Sequence, residues 1–233
     1  MTQFRPGGFQ MIPPVIKNLV IINGLIFLAQ QTLGPAVEGY ITNMFGLHTV
    51  QSPLFKPHQL ITYMFLHGGW EHIIYNMFAL WMFGSILENY WGPKRFLIFY
   101  MVSGIGAAAV HLLVLYGEMI PVVHVLQNPA GYDQDTLLDY FYRLNSPTVG
   151  ASGAVFGCLA AFGFLFPNSE IYLYFLIPIK AKWLVLAYAA LELFAGIRAT
   201  AGDQVAHWAH LGGGLVGLLL VIYWNRTNRR NFY

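Results

Sequence analysis

The sequence predicts an all-α membrane protein, a bundle of six transmembrane helices with both termini cytoplasmic, on three observations. Of 233 residues, 57% are hydrophobic and only 9% charged, where an average soluble domain is about 25% charged. Six apolar stretches approach the roughly 20 residues needed to cross a bilayer. Lys and Arg concentrate beside alternate ends of those stretches. The 18 Phe, 14 Tyr and 6 Trp exceed what one soluble core of this size can bury, whereas lipid accepts them on the outside.

The spans follow one another at approximately 15–33, 70–88, 95–116, 150–167, 183–200 and 204–223. The opening MTQFRPGGFQMIPP carries one positive charge, and the apolar run behind it has no small-residue cleavage site, so the first span is read as a retained helix. Gly68 and Gly69 separate the second span from QLITYMFLH, a short re-entrant or interfacial helix. After the third span, residues 117–149 form the largest polar insert. Its DQDTLLDYFYRL segment has the pattern of a short amphipathic helix on the membrane surface. Pro167 and Asn168 stop the fourth span, and the aromatic, Pro-broken IYLYFLIPIKAK reads as interfacial. Without repeats or low-complexity tracts, the whole chain, 1–233, reads as one domain.

Of the 12 Lys and Arg, nine fall on one side: Arg5, Lys17, Lys94, Arg95, Lys180, Lys182, Arg226, Arg229 and Arg230. Only Lys56, Arg143 and Arg198 fall on the other. The bias predicts cytoplasmic termini. A formal charge of +2 without a basic cluster excludes a nucleic-acid partner, and the lone Cys158 excludes internal disulfides and CxxC motifs. The expected partners are therefore the lipid bilayer and whatever the bundle acts on, with the oligomeric state left unassigned.

In that orientation spans two, four and six all run inward, and each holds polar groups near its outer end: His72 and Asn76, then Ser152, then His207 and His210. Polar side chains inside a membrane are expensive and mark function by default. Any one could instead be hydrogen-bond glue between helices, but several converging at one depth is harder to explain that way. Ser152 lies in GASGAVFG, a small-residue surface where serine ordinarily serves close packing. The same packing gives it a second meaning. Gly153 and Gly157 make a GxxxG pair, as do Gly213 and Gly217; two such faces in contact carry Ser152 and His210 toward hydrogen-bonding distance.

A serine hydroxyl is a weak nucleophile until a base takes its proton, and a neutral imidazole suits that task. No acid stands at a spacing that completes a triad, since Asp203 lies at the start of the sixth span and Glu192 in the fifth. The economical reading is a Ser152–His210 dyad. Acyl transfer also develops an oxyanion. His72 and Asn76, four residues apart on one helix face, and the Ser152 backbone N–H are candidate donors. His67, beyond the Gly-Gly break, reads as a satisfied structural histidine. Other proteolytic chemistries lack their residues. WEHIIYN is not HExxH, a metal cluster of His67, His72, His207 and His210 would have to form without a carboxylate, and Asp133 sits in the polar insert and Asp203 at a membrane boundary. No metal and no cofactor is expected.

Three separated motifs, HGGWEHIIYNM, GASG and AHLGG with Gly217 following, resemble those of the rhomboid intramembrane serine proteases, and the resemblance extends over roughly Val15 to Asn225. It implies a six-helix rhomboid-like bundle whose active-site cavity opens to the non-cytoplasmic side. Ser152 would be the nucleophile, His210 the general base, and His72, Asn76 and the Ser152 N–H the oxyanion hole. Phe156 falls where the family carries an aromatic, often Tyr, against the imidazole, and the first outer loop lacks the Trp-Arg pair of many members. The implied activity is endopeptidase cleavage, through an acyl-enzyme, of transmembrane protein substrates in or near their helices, in a bacterial inner membrane. The competing expectation is a non-catalytic rhomboid-like protein that binds client transmembrane helices.

Overall fold

The computed structural model describes residues 8–173, 176–198 and 206–227. It is mostly helical. In chain order the helices are α1 (Pro14–Thr32), α2 (Pro35–Phe45), α3 (Gln59–Thr62, continued by a 3-10 turn at Tyr63–Phe65), α4 (Trp70–Ala79), α5 (Ser85–Trp91), α6 (Pro93–Gln127), α7 (Gln134–Asn145), α8 (Ser152–Leu165), α9 (Ala181–Arg198) and α10 (His207–Thr227). A π-helical turn, Leu80–Gly84, joins α4 to α5, so residues 70–91 form one rod. Two short strands, β1 (Glu170–Leu173) and β2 (Ile177–Lys180), lie between α8 and α9. By length and composition α1, α6 and α10 can each cross a membrane, and the chain is an integral membrane protein.

Prolines begin α1, α2 and α6, where the missing N–H has no helical partner in any case. The α1 start is finished from elsewhere in the chain. The buried Glu88 carboxylate on α5 accepts the Val15 and Ile16 N–H groups, each at 2.9 Å. This anion at a helix N-terminus satisfies two otherwise orphaned donors.

Two segments hold structure beyond the expectation. Span three was expected to end near residue 116, but α6 runs to Gln127 across Pro121. Its extension buries Met119 and Val122 with Leu144 of α7, and Val123, Leu126 and Tyr140 pack against them; this packing outweighs the one backbone bond that Pro121 removes. The insert is thus a pair of packed helices, with α7 capped by Asp133, whose side chain accepts the Thr136 N–H at 2.8 Å. The segment read as interfacial rather than spanning holds an antiparallel hairpin, a local structure that reading did not specify, with Glu170 opposite Lys180 and Tyr172 opposite Pro178. β-Branched and aromatic residues around Pro178 favour extended backbone over helix.

Helices α6, α8 and α10 make the centre. Gly106 and Gly212 exchange space with Val216 and Val110 across α6 and α10: a methyl on Gly106 would lie 2.7 Å from the Val216 side chain, and one on Gly212 would lie 2.6 Å from Val110. On α8, a methyl on Gly157 would lie 2.6 Å from Ser103 of α6 and 3.2 Å from the Gly213 carbonyl of α10. Helices α8 and α10 therefore meet backbone to backbone, and α6 packs closely on both through Ser103, Gly106 and Val110. Large apolar side chains such as Leu113, Leu191 and Ile197 face outward, as lipid contact requires.

Candidate active site

The serine is placed by the segment before it. Thr148 and Leu47 exchange both backbone hydrogen bonds at 2.9 Å. The Thr148 hydroxyl meets His111 Nε2 at 2.8 Å, and the Gly150 N–H donates to the Tyr63 carbonyl at 2.9 Å. Gly150 then takes φ +136°, a conformation open to glycine, and α8 starts two residues later with Ser152 as its first helical residue. The first-turn N–H groups of α8, Ser152 included, have no carbonyl a turn back and sit at the positive end of the helix dipole.

The histidine arrives by close helix packing. A methyl on Gly213 would fall inside the Gly153 carbonyl, and one on Gly217 would lie 2.8 Å from the Gly157 Cα. The two GxxxG faces thus meet backbone to backbone. His210, one turn before Gly213, brings Nε2 to 2.7 Å from the Ser152 hydroxyl oxygen. Phe156, one turn after Ser152, stacks on the His210 ring at a centroid separation of 4.3 Å and an interplanar angle of 5°. Tyr188 of α9 packs on Phe156 at a tilt, with ring centroids 5.2 Å apart.

An acid also reaches this cluster, contrary to the spacing argument. Glu192 Oε2 lies 3.0 Å from His210 Nδ1 and 2.7 Å from His207 Nδ1. Spacing along the chain could not reveal this, because Glu192 and His210 sit on neighbouring helices whose contact depends on tertiary packing. A signal was nonetheless present in the sequence. Glu192 is the one acid in the apolar run LVLAYAALELFAG, and a lone carboxylate there needs a partner. One oxygen and two ring nitrogens of Glu192, His207 and His210 lie within 4.8 Å of one another, a donor set of the type that can hold zinc. Their spacing about Oε2 is that of two N–H···O hydrogen bonds.

His72 and Asn76 lie on one face of α4. The Asn76 amide donates to the His72 carbonyl at 2.8 Å, which orients it and leaves its second N–H uncommitted by that bond. The Gly68 N–H donates to His72 Nδ1 at 3.3 Å. With Nδ1 accepting, the proton is on Nε2, and Nε2 faces the turn before Ser152: a methyl on Gly150 would lie 2.8 Å from it. Glycine at 150 therefore serves both the backbone turn and the room for this ring. His67 departs from expectation. It is buried, and neither ring nitrogen has a hydrogen-bond partner among the described residues. Its ring instead packs edge-on against His72 at 5.1 Å and Phe27 at 6.5 Å, walling the His72 side of the site. Asp203, the other acid considered in the sequence, lies outside the described residues.

A family model described as the Rhomboid domain matches residues 55–226. The chain is 28% identical over 221 residues to "RHOMBOID-like protein 12, mitochondrial" of Arabidopsis thaliana, covering 94% of this chain and 60% of that protein. It is 31% identical over 155 residues to "Rhomboid protein 1, mitochondrial" of Saccharomyces cerevisiae, covering 66% and 38%. Against "Rhomboid protease AarA" of Providencia stuartii it is 26% identical over 221 residues, covering 88% and 70%. The chain thus spans well under two thirds of the length of the first two relatives.

Proposed function

We propose, from the premise that this chain belongs to the rhomboid family, that it is an intramembrane serine endopeptidase acting through Ser152 and His210. The observation that carries the reading is the 2.7 Å contact between the Ser152 hydroxyl and His210 Nε2, held by backbone-to-backbone packing of α8 on α10. A site that merely docks client helices has no need of a base on its serine, and this supports the protease over the binder.

In the proposed reaction the Ser152 oxygen attacks the scissile carbonyl carbon as its proton passes to His210 Nε2. The resulting oxyanion is met by the His72 Nε2–H, the free Asn76 amide hydrogen and the Ser152 N–H, donors already oriented before substrate arrives. The C–N bond breaks as His210 returns the proton to the leaving amine. An acyl ester stays on Ser152 until water, deprotonated by the same imidazole, hydrolyses it. Phe156 holds the imidazole plane, a task for a ring rather than a hydroxyl. The chemistry uses no cofactor or metal.

The proposed topology is a single domain, 1–233, of six spans: α1, the 70–91 rod, α6, α8, α9 and α10. Both termini are cytoplasmic, and the site opens to the opposite side; nine of 12 cations on one side support this. The proposed substrates are transmembrane proteins, cut where a helix unwinds, because an intact helix shields its carbonyls. The likeness to the AarA protease supports a bacterial inner membrane. The names of the Arabidopsis and yeast relatives favour the equivalent mitochondrial membrane instead, and localising the tagged protein in its native cell decides between them.

The test is cleavage of a helical substrate by purified protein in detergent, with labelling by a small fluorophosphonate. Both activities should vanish in Ser152→Ala and His210→Ala. Cleavage that survives Ser152→Ala at the wild-type rate overturns the reading.

A further inference from the structure

We propose that Glu192 is a positioning residue that completes a Ser152–His210–Glu192 relay, an inference that rests on the protease reading. Glu192 is buried on α9, whose other large side chains, Trp183, Leu186, Leu191, Phe194 and Ile197 among them, are exposed and apolar. A carboxylate in such a helix is costly unless it meets donors. It meets two, and one belongs to the base. Oε2 accepts from His210 Nδ1 at 3.0 Å while Nε2 of the same ring faces the Ser152 hydroxyl at 2.7 Å.

The geometry fixes what the carboxylate does. An imidazole can accept the serine proton at Nε2 only if its own proton sits on Nδ1. A carboxylate beside Nδ1 is an acceptor alone, so it selects that tautomer and rejects the inactive one. It also fixes the ring's rotation, since the line from Oε2 through the ring to the Ser152 oxygen has one solution. When the serine proton moves to Nε2, the ring becomes an imidazolium flanked by Glu192 and stabilised by it. Glu192 takes no proton, and the Nδ1–H stays on nitrogen throughout.

The neighbouring contacts fit a positioning role. His207 Nδ1 holds Oε2 at 2.7 Å, anchoring the carboxylate from the start of α10. Tyr188, one turn before Glu192 on the same face of α9, braces Phe156, which stacks on His210. Thus α9 supports the imidazole twice, edge-on through Glu192 and face-on through Tyr188 and Phe156.

The experiment compares wild type, Ser152→Ala, Glu192→Gln and Glu192→Leu, purified in detergent and checked for folding by thermal unfolding. Gln keeps the shape of Glu. Leu removes the carboxylate and leaves the His207 and His210 donors without their acceptor, so it is the harsher change and Gln the milder one; a folded variant is available even where one of the two fails. Two readouts are taken: kcat and KM on a helical substrate, and the inactivation rate with a small fluorophosphonate that reports serine reactivity without a helix having to enter. The expected result in the folded variants is a fall in kcat of about tenfold or more, KM within about twofold, and an equal fall in the phosphonate rate. A phosphonate rate within about threefold of wild type overturns the proposal, whatever happens to KM, because Glu192 would then serve only α9 packing. Failure of the protease reading looks different: wild type would be as inert as Ser152→Ala, or Ser152→Ala as active as wild type.

Discussion

Gly213→Ala tests whether helix packing builds the site. The added methyl would lie inside the Gly153 backbone carbonyl, and neither backbone can turn aside within its helix. Carbon and its neighbours settle at about 3.5 Å, so α8 and α10 must part by at least about 1 Å at this level. Ser152 is the residue before Gly153 and His210 lies one turn before Gly213, on the two helices being separated. Their 2.7 Å contact opens beyond hydrogen-bonding range. A displacement of about 1 Å in a catalytic constellation can cost about 100-fold in rate, and that is the expected loss in kcat for substrate and in the phosphonate inactivation rate. Gly217→Ala makes a graded partner. Its methyl would lie 2.8 Å from the Gly157 Cα, a milder overlap one turn farther from the dyad, so its loss should be several times smaller. Both variants are assayed as folded protein, with unfolding temperature recorded. Gly213→Ala within about twofold of wild type, or more active than Gly217→Ala, would refute the reasoning.

Phe156→Ala should lower kcat by about 2–10-fold, the worth of one ring stack at about 0.5–1.5 kcal/mol, whereas Phe156→Tyr stays near wild type; steady-state kinetics on both separates ring from hydroxyl. Glu88→Ala removes the acceptor of two 2.9 Å hydrogen bonds at the start of α1. At about 1.5–3 kcal/mol for a bond to a charged group, it should lower unfolding temperature markedly while the folded fraction keeps its kcat. Exhaustive dialysis against EDTA should leave cleavage unchanged; a loss reversed by zinc would show Glu192, His207 and His210 acting as a metal centre. Asp133 is held below its ordinary carboxylate range, 3.8, by the Thr136 N–H and hydroxyl. A depressed group stabilises above its unfolded pKa and loses that effect as pH falls through the folded one. Asp133→Ala should therefore speed amide exchange in the first turn of α7 at neutral pH, and the difference from wild type should vanish in acid well below pH 3.8.

The helices were legible because their signals are local. Apolar runs of span length, Pro at helix starts and Gly at breaks lie within a few residues of what they predict, and the observed helices fall close to the expected spans. The two features hidden from the sequence share a cause. The α6 extension beyond Gly117 depends on Met119 and Val122 finding Leu144 and Tyr140, and the hairpin depends on Ile171 finding Ile179. Both are pairings between segments whose individual patterns are ambiguous. The placement of Ser152 by Leu47, Tyr63 and His111 is hidden in the same way, since none of those residues carries a sequence motif that points to it.

The site divides along that line. Ser152 and His210 could be paired in advance because each is tied to a GxxxG face, and glycine faces declare that two backbones will touch at a fixed register. Once Gly213 rests on Gly153, Ser152, next to one glycine, and His210, one turn before the other, have little freedom in where they meet. Glu192 has no such tether. It lies on α9, which meets α8 and α10 through larger groups, such as Val185 against Gly163 and Trp208 against Gly196, and side chains of that size do not fix a register that can be read from spacing. A carboxylate on such a helix reaches His210 only after the whole bundle has assembled. The two kinds of contact also predict different sensitivities. Enlarging a glycine between α8 and α10 should break the Ser152–His210 contact itself. Enlarging Gly163 of α8, under Val185, or Gly196 of α9, against Trp208, should leave that contact intact and loosen Glu192 first. Gly196→Val should therefore reproduce the kinetic signature of Glu192→Gln, a fall in kcat and phosphonate rate without the larger loss of Gly213→Ala. If Gly196→Val is as damaging as Gly213→Ala in folded protein, α9 is part of the frame that holds serine to histidine, and the separation drawn here between the two contacts fails.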